Sequence, residues 1–287
     1  MKKRRIIIAG MGFLGLRIAS IFLDRQDTVY GISRKTERAR EFEKIGFLPV
    51  FADLETGRGL EHLPKVDAAV FCAAPDSHDA SAYRSLYIDG TSHFLQALSL
   101  KSPRARCLYT SSTSVWGSGS SGTINEEVPP TPENDKTHIL LEAEKRVLEK
   151  KSNVVLRLAG LYGPGRNRLT GLFKDLPSRR EANHYANLIH VDDAARASVL
   201  VLDKGKNCQI YIGCDNEPSL RRDIDGWLRE KAGLAASVDI LSGGAALGKK
   251  MSNRKIFSLG LSLSFPTYKD GYELILKNEL PVLRGSR

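Results

Sequence analysis

Gly10-Met11-Gly12-Phe13-Leu14-Gly15 follows directly on the apolar run Arg5–Ala9 and opens an amphipathic stretch, Phe13–Leu23. A strand that turns on glycines into a helix constrains this fold more than any other feature of the chain. The pattern G-x-G-x-x-G is weak alone, but this is its setting in the first βαβ unit of a dinucleotide-binding sheet. Gly10 permits the tight turn, and Gly12 lets the backbone approach a pyrophosphate. Gly15 lets the helix pack closely on the strand, and the helix N-terminus attracts the anion. Glycines that serve packing only are the plainer alternative.

The rest of the first half repeats this alternation. Apolar runs at Thr28–Ile32, Leu48–Phe51, Ala68–Cys72, Ala105–Tyr109 and Val154–Leu158 read as strands. Helical patterns at Glu37–Ile45, Ala80–Leu98 and Lys136–Leu148 lie between them. Strands alternating with helices imply an α/β fold of the Rossmann type, a doubly wound parallel sheet with right-handed crossovers. After residue 160 the pattern loosens. Leu161-Tyr162-Gly163-Pro164-Gly165-Arg166 is loop chemistry. Beyond it come helices at Asp192–Leu202 and Leu220–Ala232, a short strand at Cys208–Ile212 and a last helix at Asp270–Lys277. The expected organisation is an NAD(P)-binding domain over 1–160. A smaller α/β substrate lobe over 161–287 packs on it and is partly interleaved with it.

Composition narrows the partners. A formal charge of +10 in 287 residues favours anionic small molecules. The basic residues are scattered without interleaved aromatics, so nucleic acid is not an expected partner. Lys2-Lys3-Arg4-Arg5 with the isoleucines after it resembles the start of a secretory leader, but glycines and Arg17 interrupt the apolar run. No run reaches the roughly 18 apolar residues of a membrane span. Cys72, Cys107, Cys208 and Cys214 show neither a CxxC pair nor metal-type spacing with histidine. Reduced thiols, no metal, no membrane and a cytoplasmic location are the expectation.

The end of the second strand bears on the cofactor. NAD sites place an acid about 20 residues beyond the glycines, to hold the ribose 2′-hydroxyl. Here the segment is Gly31-Ile32-Ser33-Arg34-Lys35, with no acid. Arg34 and Lys35 suit a 2′-phosphate, so NADP is expected over NAD, with NAD as the alternative. Ordinary solvation of the two cations is the other reading.

Further segments fall into order along the chain. Phe51-Ala52-Asp53-Leu54 follows the third strand and Cys72-Ala73-Ala74 the fourth. Next come Tyr87-Ile88-Asp89-Gly90-Thr91, then Tyr109-Thr110-Ser111-Ser112-Thr113-Ser114-Val115-Trp116-Gly117. Leu156-Arg157-Leu158, Ile189-His190-Val191-Asp192-Asp193 and Lys250-Met251-Ser252-Asn253 complete the series. Together with the glycines, these segments resemble the extended and atypical short-chain dehydrogenase/reductases, the NAD-dependent epimerase/dehydratase group that acts on nucleotide sugars and related substrates. The resemblance implies that Asp53, with Leu54, lies against the adenine and that Ala73-Ala74 lies beside the ribose and nicotinamide. Asp53 as a cap of the helix after it is the competing role. The resemblance also implies apolar helix surface for a homodimer. The basic residues Lys249, Lys250 and Arg254 suit substrate phosphate, with a solvated surface as the equal alternative.

In that family the strand ending in YTSSTSVWG supplies a catalytic hydroxyl four residues before the aromatic, which places Ser112 on the substrate oxygen. The usual proton donor is a Tyr-x-x-x-Lys pair on the next helix, where a spacing of four puts both side chains on one face. Aligning Leu141-Glu142-Ala143-Glu144 with the family pattern puts Lys136 in place of the tyrosine and Leu140 in place of the lysine. None of the nine tyrosines has lysine four residues later. The nearest substitutes for the acid/base are Lys136 and His138, with a solvated helix start as the plainer role for Lys136. Two functions follow. One is an NAD(P)-dependent oxidoreductase or epimerase-like enzyme with non-standard acid/base, acting on an anionic small molecule. The other is a noncatalytic NADP-binding or redox-sensing protein.

Overall fold

The structure is a computed structural model and describes residues 3–174, 182–235 and 245–285. Strands β1 (Arg5–Ala9), β2 (Thr28–Ser33), β3 (Leu48–Phe51), β4 (Ala68–Phe71) and β5 (Arg106–Ser112) belong to one sheet. The short β6 (Gly122–Ile124) stands outside it. The sheet resumes with β7 (Val154–Leu158) and, after β8 (Gly160–Tyr162), β9 (Tyr185–Ala186) and β10 (Leu188–His190), ends with β11 (Ile210–Gly213). The seven strands run in the order β11-β7-β5-β4-β1-β2-β3. Every neighbouring pair is parallel. The order reverses between β1 and β4, and in such sheets the crevice at that switch point, outside the carboxyl ends of the strands, is where ligands bind.

Both faces of the sheet are covered, which explains why its strands read as unbroken apolar runs. Ile6 and Ile8 enter one core with Ile18 and Phe22 of α1 (Gly15–Asp24). Ile7 and Ala9, pointing the other way, enter a second core. Each of these isoleucines, and Phe22, taken fully out of water stabilises the fold by about 1.5–3 kcal/mol. Helix α2 (Thr36–Lys44) follows β2. The predicted single helix over Ala80–Leu98 is instead three pieces: α3 (Ala80–Arg84), a π-helical turn over Ser85–Gly90, and α4 (Thr91–Lys101). Wide turns of this kind cluster at functional sites, and periodicity alone does not distinguish them from a continuous helix. Phe94 and Leu98 of α4 and Ile139, Ala143 and Val147 of α5 (Asp135–Glu149) fill the second core.

Strand β5 also departs from the prediction. It continues three residues past Tyr109, so that Thr110, Ser111 and Ser112 still pair with β7, Ser112 opposite Leu158.

A smaller C-terminal lobe sits beside the sheet. Helix α6 (Leu169–Phe173) packs with α8 (Arg221–Ala232) and the last helix, Tyr268–Gly285. Leu169, Leu172, Ile224, Leu228 and Ile275 form its core, and the Tyr162 and Tyr272 rings stack at 4.9 Å. Helix α7 (Val191–Lys204) returns to cover the main sheet. Strand β12 (Ser219–Leu220) pairs antiparallel with β9, and β13 (Lys249–Met251) pairs parallel with β6. The last of these ladders ties the lobe to the loop that leaves β5. Among the described residues no helix is long and apolar enough to cross a membrane.

Candidate active site

A cleft of about 1310 Å³ opens at the carboxyl ends of the strands. Its floor is the glycine turn. Gly10 has φ +110°, and a Cβ there would collide with the Ala73 backbone, so both turn geometry and close approach require glycine. At Gly15 a Cβ would collide with the Gly10 carbonyl oxygen, which fixes how closely α1 seats on the turn. Gly12 differs. Nothing lies within 4 Å of its missing Cβ, and it lines the cleft. Two glycines are thus explained by packing, and the third leaves an open cradle at the start of a helix. That arrangement fits a pyrophosphate. Phe13 and Leu14 line the cleft beside it, while Gly15 sits behind them.

The wall beyond β2 and β3 carries charge. Ser33 Oγ accepts from the Lys35 N–H at 3.1 Å and donates to the Lys35 carbonyl at 3.0 Å, which shapes the turn that presents Arg34. Arg34 Nη2 donates to Asp76 at 2.7 Å, and its Nη1 lies 3.4 Å from Glu55. The hydrogen bond from Arg34 holds the Asp76 carboxyl below its usual range. Asp53 Oδ1 accepts from the Glu55 N–H at 2.9 Å, so it caps the turn after β3 while still facing the cleft. Leu54, Ala73 and Ala74 line the same cavity.

The third wall is the end of β5. Ser112 Oγ accepts from the Ser114 N–H at 3.1 Å, which leaves the Ser112 hydroxyl proton available to another acceptor. Ser111 is buried, and its Oγ has no hydrogen-bond partner. The segment is anchored from behind by Trp116, whose Nε1 donates to the Val128 carbonyl at 2.9 Å. Tyr83 and Tyr87 also line the cavity. Burial raises both phenols above the ordinary tyrosine range.

The structure does not bring Lys136 to this cavity. Its Nζ donates to the His78 carbonyl at 3.2 Å and lies 5.7 Å from the centre of the Tyr83 ring. On the same helix Thr137 and Leu140 line the cleft, so the apolar Leu140 stands where the sequence alignment expected lysine. His138 is exposed and outside the cavity. Of the three C-terminal cations, Lys249 lines the cleft and donates from Nζ to the Gly117 carbonyl at 2.9 Å. Lys250 packs over the Tyr185 ring, and Arg254 is exposed.

The lobe supplies residues that sequence reasoning missed. Arg166, His184, Asn187 and Arg221 complete the cavity. Arg166 stacks over Phe13 at 5.4 Å, and the Arg221 N–H donates to the His184 carbonyl at 3.1 Å. The β9–β12 ladder joins Arg221 to His184 across 37 positions of sequence, and no local motif marks either. Glu133 also lines the cavity, packed so closely on Gly117 that a Cβ there would collide with its side chain, a contact that no local sequence pattern marks. The N–H of Gly119 and the hydroxyl of Ser118 hold the Glu133 carboxyl below its usual range.

The model of the NAD dependent epimerase/dehydratase family matches residues 6–213. The chain belongs to this family. Among curated relatives, protein YeeZ of Escherichia coli K12 is 28% identical over 227 residues, 74% of this chain and 77% of the relative. Among solved structures, a candidate NAD-dependent epimerase/dehydratase from Methylobacillus flagellatus is 29% identical, with a TM-score of 0.80 over 96% of this chain and 98% of the other. The dTDP-glucose 4,6-dehydratase of Bacillus anthracis, solved with NAD, shares the fold at 20% identity, with a TM-score of 0.80 over 97% of this chain and 98% of the other.

Membership makes the chain an NAD-dependent oxidoreductase or epimerase/dehydratase-like enzyme, and it corrects one expectation. Arg34 and Lys35 by themselves favour NADP. The family is NAD dependent, and the Bacillus anthracis structure holds NAD. The physical reason lies in the cleft wall, where Asp76 and Glu55 already engage the Arg34 guanidinium. The cation exists in the sequence, but carboxylates from two other loops answer it.

Proposed function

We propose that this epimerase/dehydratase-family chain oxidises and reduces a carbon centre of a nucleotide-sugar-like anionic substrate in the cleft described above. One observation carries the reading: the Gly12 cradle, the Ser112 hydroxyl and the cations Arg166, Arg221 and Lys249 face a single cavity. A volume of about 1310 Å³ exceeds the roughly 300–1,000 Å³ of a site for one small ligand and leaves room for a dinucleotide beside a substrate. NAD, when bound, supplies the hydride acceptor. The Gly10–Gly15 turn and the α1 N-terminus would hold its pyrophosphate, with Ala73 and Ala74 beside the ribose. Ser112, its oxygen accepting from the Ser114 N–H, would donate a hydrogen bond to the substrate oxygen and orient it while keeping its own proton. The proton lost by the substrate hydroxyl on oxidation would leave to solvent through the open cleft. The lobe cations receive the substrate's diphosphate.

Lys136 would reach the cleft only by leaving the His78 carbonyl, so Ser112 is assigned the substrate contact and Lys136 no proton transfer. Leu140 in the cleft wall favours a second reading, a cofactor-binding protein without turnover. The experiment is titration of the purified chain with NAD and with UDP- and dTDP-sugars, followed by turnover across the same panel. Saturable binding of both ligand types with turnover supports the proposal. Binding of NAD with no sugar-nucleotide binding overturns it, and binding of both without turnover moves the assignment to the second reading.

A further inference from the structure

The end of β2 is where NAD-binding sheets ordinarily carry the acid that holds the ribose 2′-hydroxyl, and here that position is Arg34. A bare arginine there would welcome a 2′-phosphate. It is not bare. Asp76, from the loop after β4, accepts from Nη2 at 2.7 Å, and Glu55, from the loop after β3, lies 3.4 Å from Nη1. Glu55 is itself held, because Ser85 at the start of the π-helical turn donates to its other oxygen at 2.8 Å. Asp53 adds a third carboxylate whose field acts on Arg34. Arg34, Asp53, Glu55 and Asp76, with Lys35, all line the cavity. Two cations thus face three carboxylates, where β2 alone would present two cations.

We propose that Asp76 and Glu55 are the residues that set the cofactor preference, by occupying Arg34 and making the adenosine end of the cleft repel a 2′-phosphate. The acid that the family ordinarily places on β2 is in this chain supplied from two neighbouring strand ends. The inference rests on the NAD-binding reading of the cleft and adds to it the groups that exclude NADP. The mechanism is electrostatic rather than steric. A phosphate dianion must displace Asp76 from Arg34 and then sit beside Glu55 and Asp53, whereas a ribose hydroxyl adds no charge and can donate to either carboxylate. The chain therefore keeps a latent phosphate-binding arginine.

The test is cofactor binding, followed by NADH and NADPH fluorescence at low ionic strength, where exposed charges act most strongly. The wild type is expected to bind NADH in preference to NADPH. E55Q/D76N is expected to tighten NADPH about 5- to 20-fold, as the removal of two like charges near a dianion implies, and to leave NADH no tighter, since the ribose hydroxyl loses its carboxylate acceptors. Adding R34A to that double variant is expected to abolish the gain. D76N alone, at a side chain 77% exposed, gives a smaller gain in the same direction and serves if the double variant folds poorly. An unchanged NADPH/NADH ratio in the variants overturns the inference, as does a gain that survives R34A or a wild type that binds both equally. If the wild type binds neither nucleotide, the NAD-binding reading falls as well, which separates the two failures.

Discussion

Arg157 of β7 and Glu144 of α5 form a buried ion pair, Nη2 to Oε2 at 2.6 Å and Nε to Oε1 at 2.9 Å, with both side chains 3% exposed. The guanidinium also lies 4.5 Å from the centre of the Trp116 ring. One charged contact therefore joins the helix that flanks the cleft, the strand beside β5 and the aromatic that anchors the Ser112 segment. Removing one partner leaves an uncompensated charge in the interior, which costs about 3–5 kcal/mol. E144A is expected to lower stability by that amount in denaturant unfolding, whereas E144L/R157M is expected to recover most of it. A single variant that unfolds at the wild-type midpoint would contradict the assignment.

The two glycines of the turn are expected to fail in opposite ways. Gly10 has positive φ and lies against Ala73, so G10A strains the backbone and lowers Tm. Gly12 has open space where a Cβ would stand. G12A is therefore expected to keep the wild-type Tm and to weaken NAD binding by about tenfold or more, about 1.4 kcal/mol in affinity. Thermal unfolding beside NAD titration checks both. Equal losses of stability in the two variants would refute the division of labour between them.

This contrast also shows what the sequence could reveal. The glycine turn and the apolar strands were legible because each depends on a few consecutive residues: a fixed backbone turn, or a side-chain alternation buried on both faces. Ser112, which the family resemblance picks out by its distance from Trp116, does line the cleft. The neighbourhood of Arg34 was not legible. Its partners Glu55 and Asp76 lie 21 and 42 positions away, and only the packing of adjacent strand ends brings them together. The break in the Ala80–Leu98 helix was hidden too, since its apolar spacing continues through the π-helical turn. Arg221 and His184 meet through a two-residue ladder in the lobe, below the length at which alternation becomes a signal.

Asp215 gives the fold a pH dependence. Its carboxyl is buried after β11, one oxygen accepting from the Glu217 N–H at 3.2 Å and the other without a partner. Burial, reinforced by Glu217, Asp193 and Asp270, pushes its pKa up to about 8. The folded chain thus holds a proton that the unfolded chain releases between about pH 4 and pH 8. With fewer protons bound in the unfolded state, stability falls as pH rises through that window, by at most about 1.4 kcal/mol per pH unit. D215N keeps an acceptor for Glu217 and removes the titration. It is expected to flatten the decline and to be more stable than the wild type at pH 8. Parallel stability profiles for the two proteins would show that Asp215 is already ionised in the fold.

Ser112 and Lys136, the two catalytic candidates of the sequence, are expected to separate in kinetics. Ser112 lines the cleft and turns its lone pair to the Ser114 N–H, so under the proposed function S112A removes the donor assigned to the substrate oxygen. Loss of one such donor lowers kcat by about 10²- to 10³-fold, while the affinity for NAD, set by the glycine turn, is expected to stay as in the wild type. Lys136 is held outside by the His78 carbonyl and the Tyr83 ring. K136A removes a cation–π contact of about 0.5–1 kcal/mol at the surface, and its kcat is expected to remain near the wild-type value. A K136A defect as deep as that of S112A would mean that the ammonium swings into the cleft during turnover. The proton would then come from Lys136, and the Leu140 wall would become the dry side of its path.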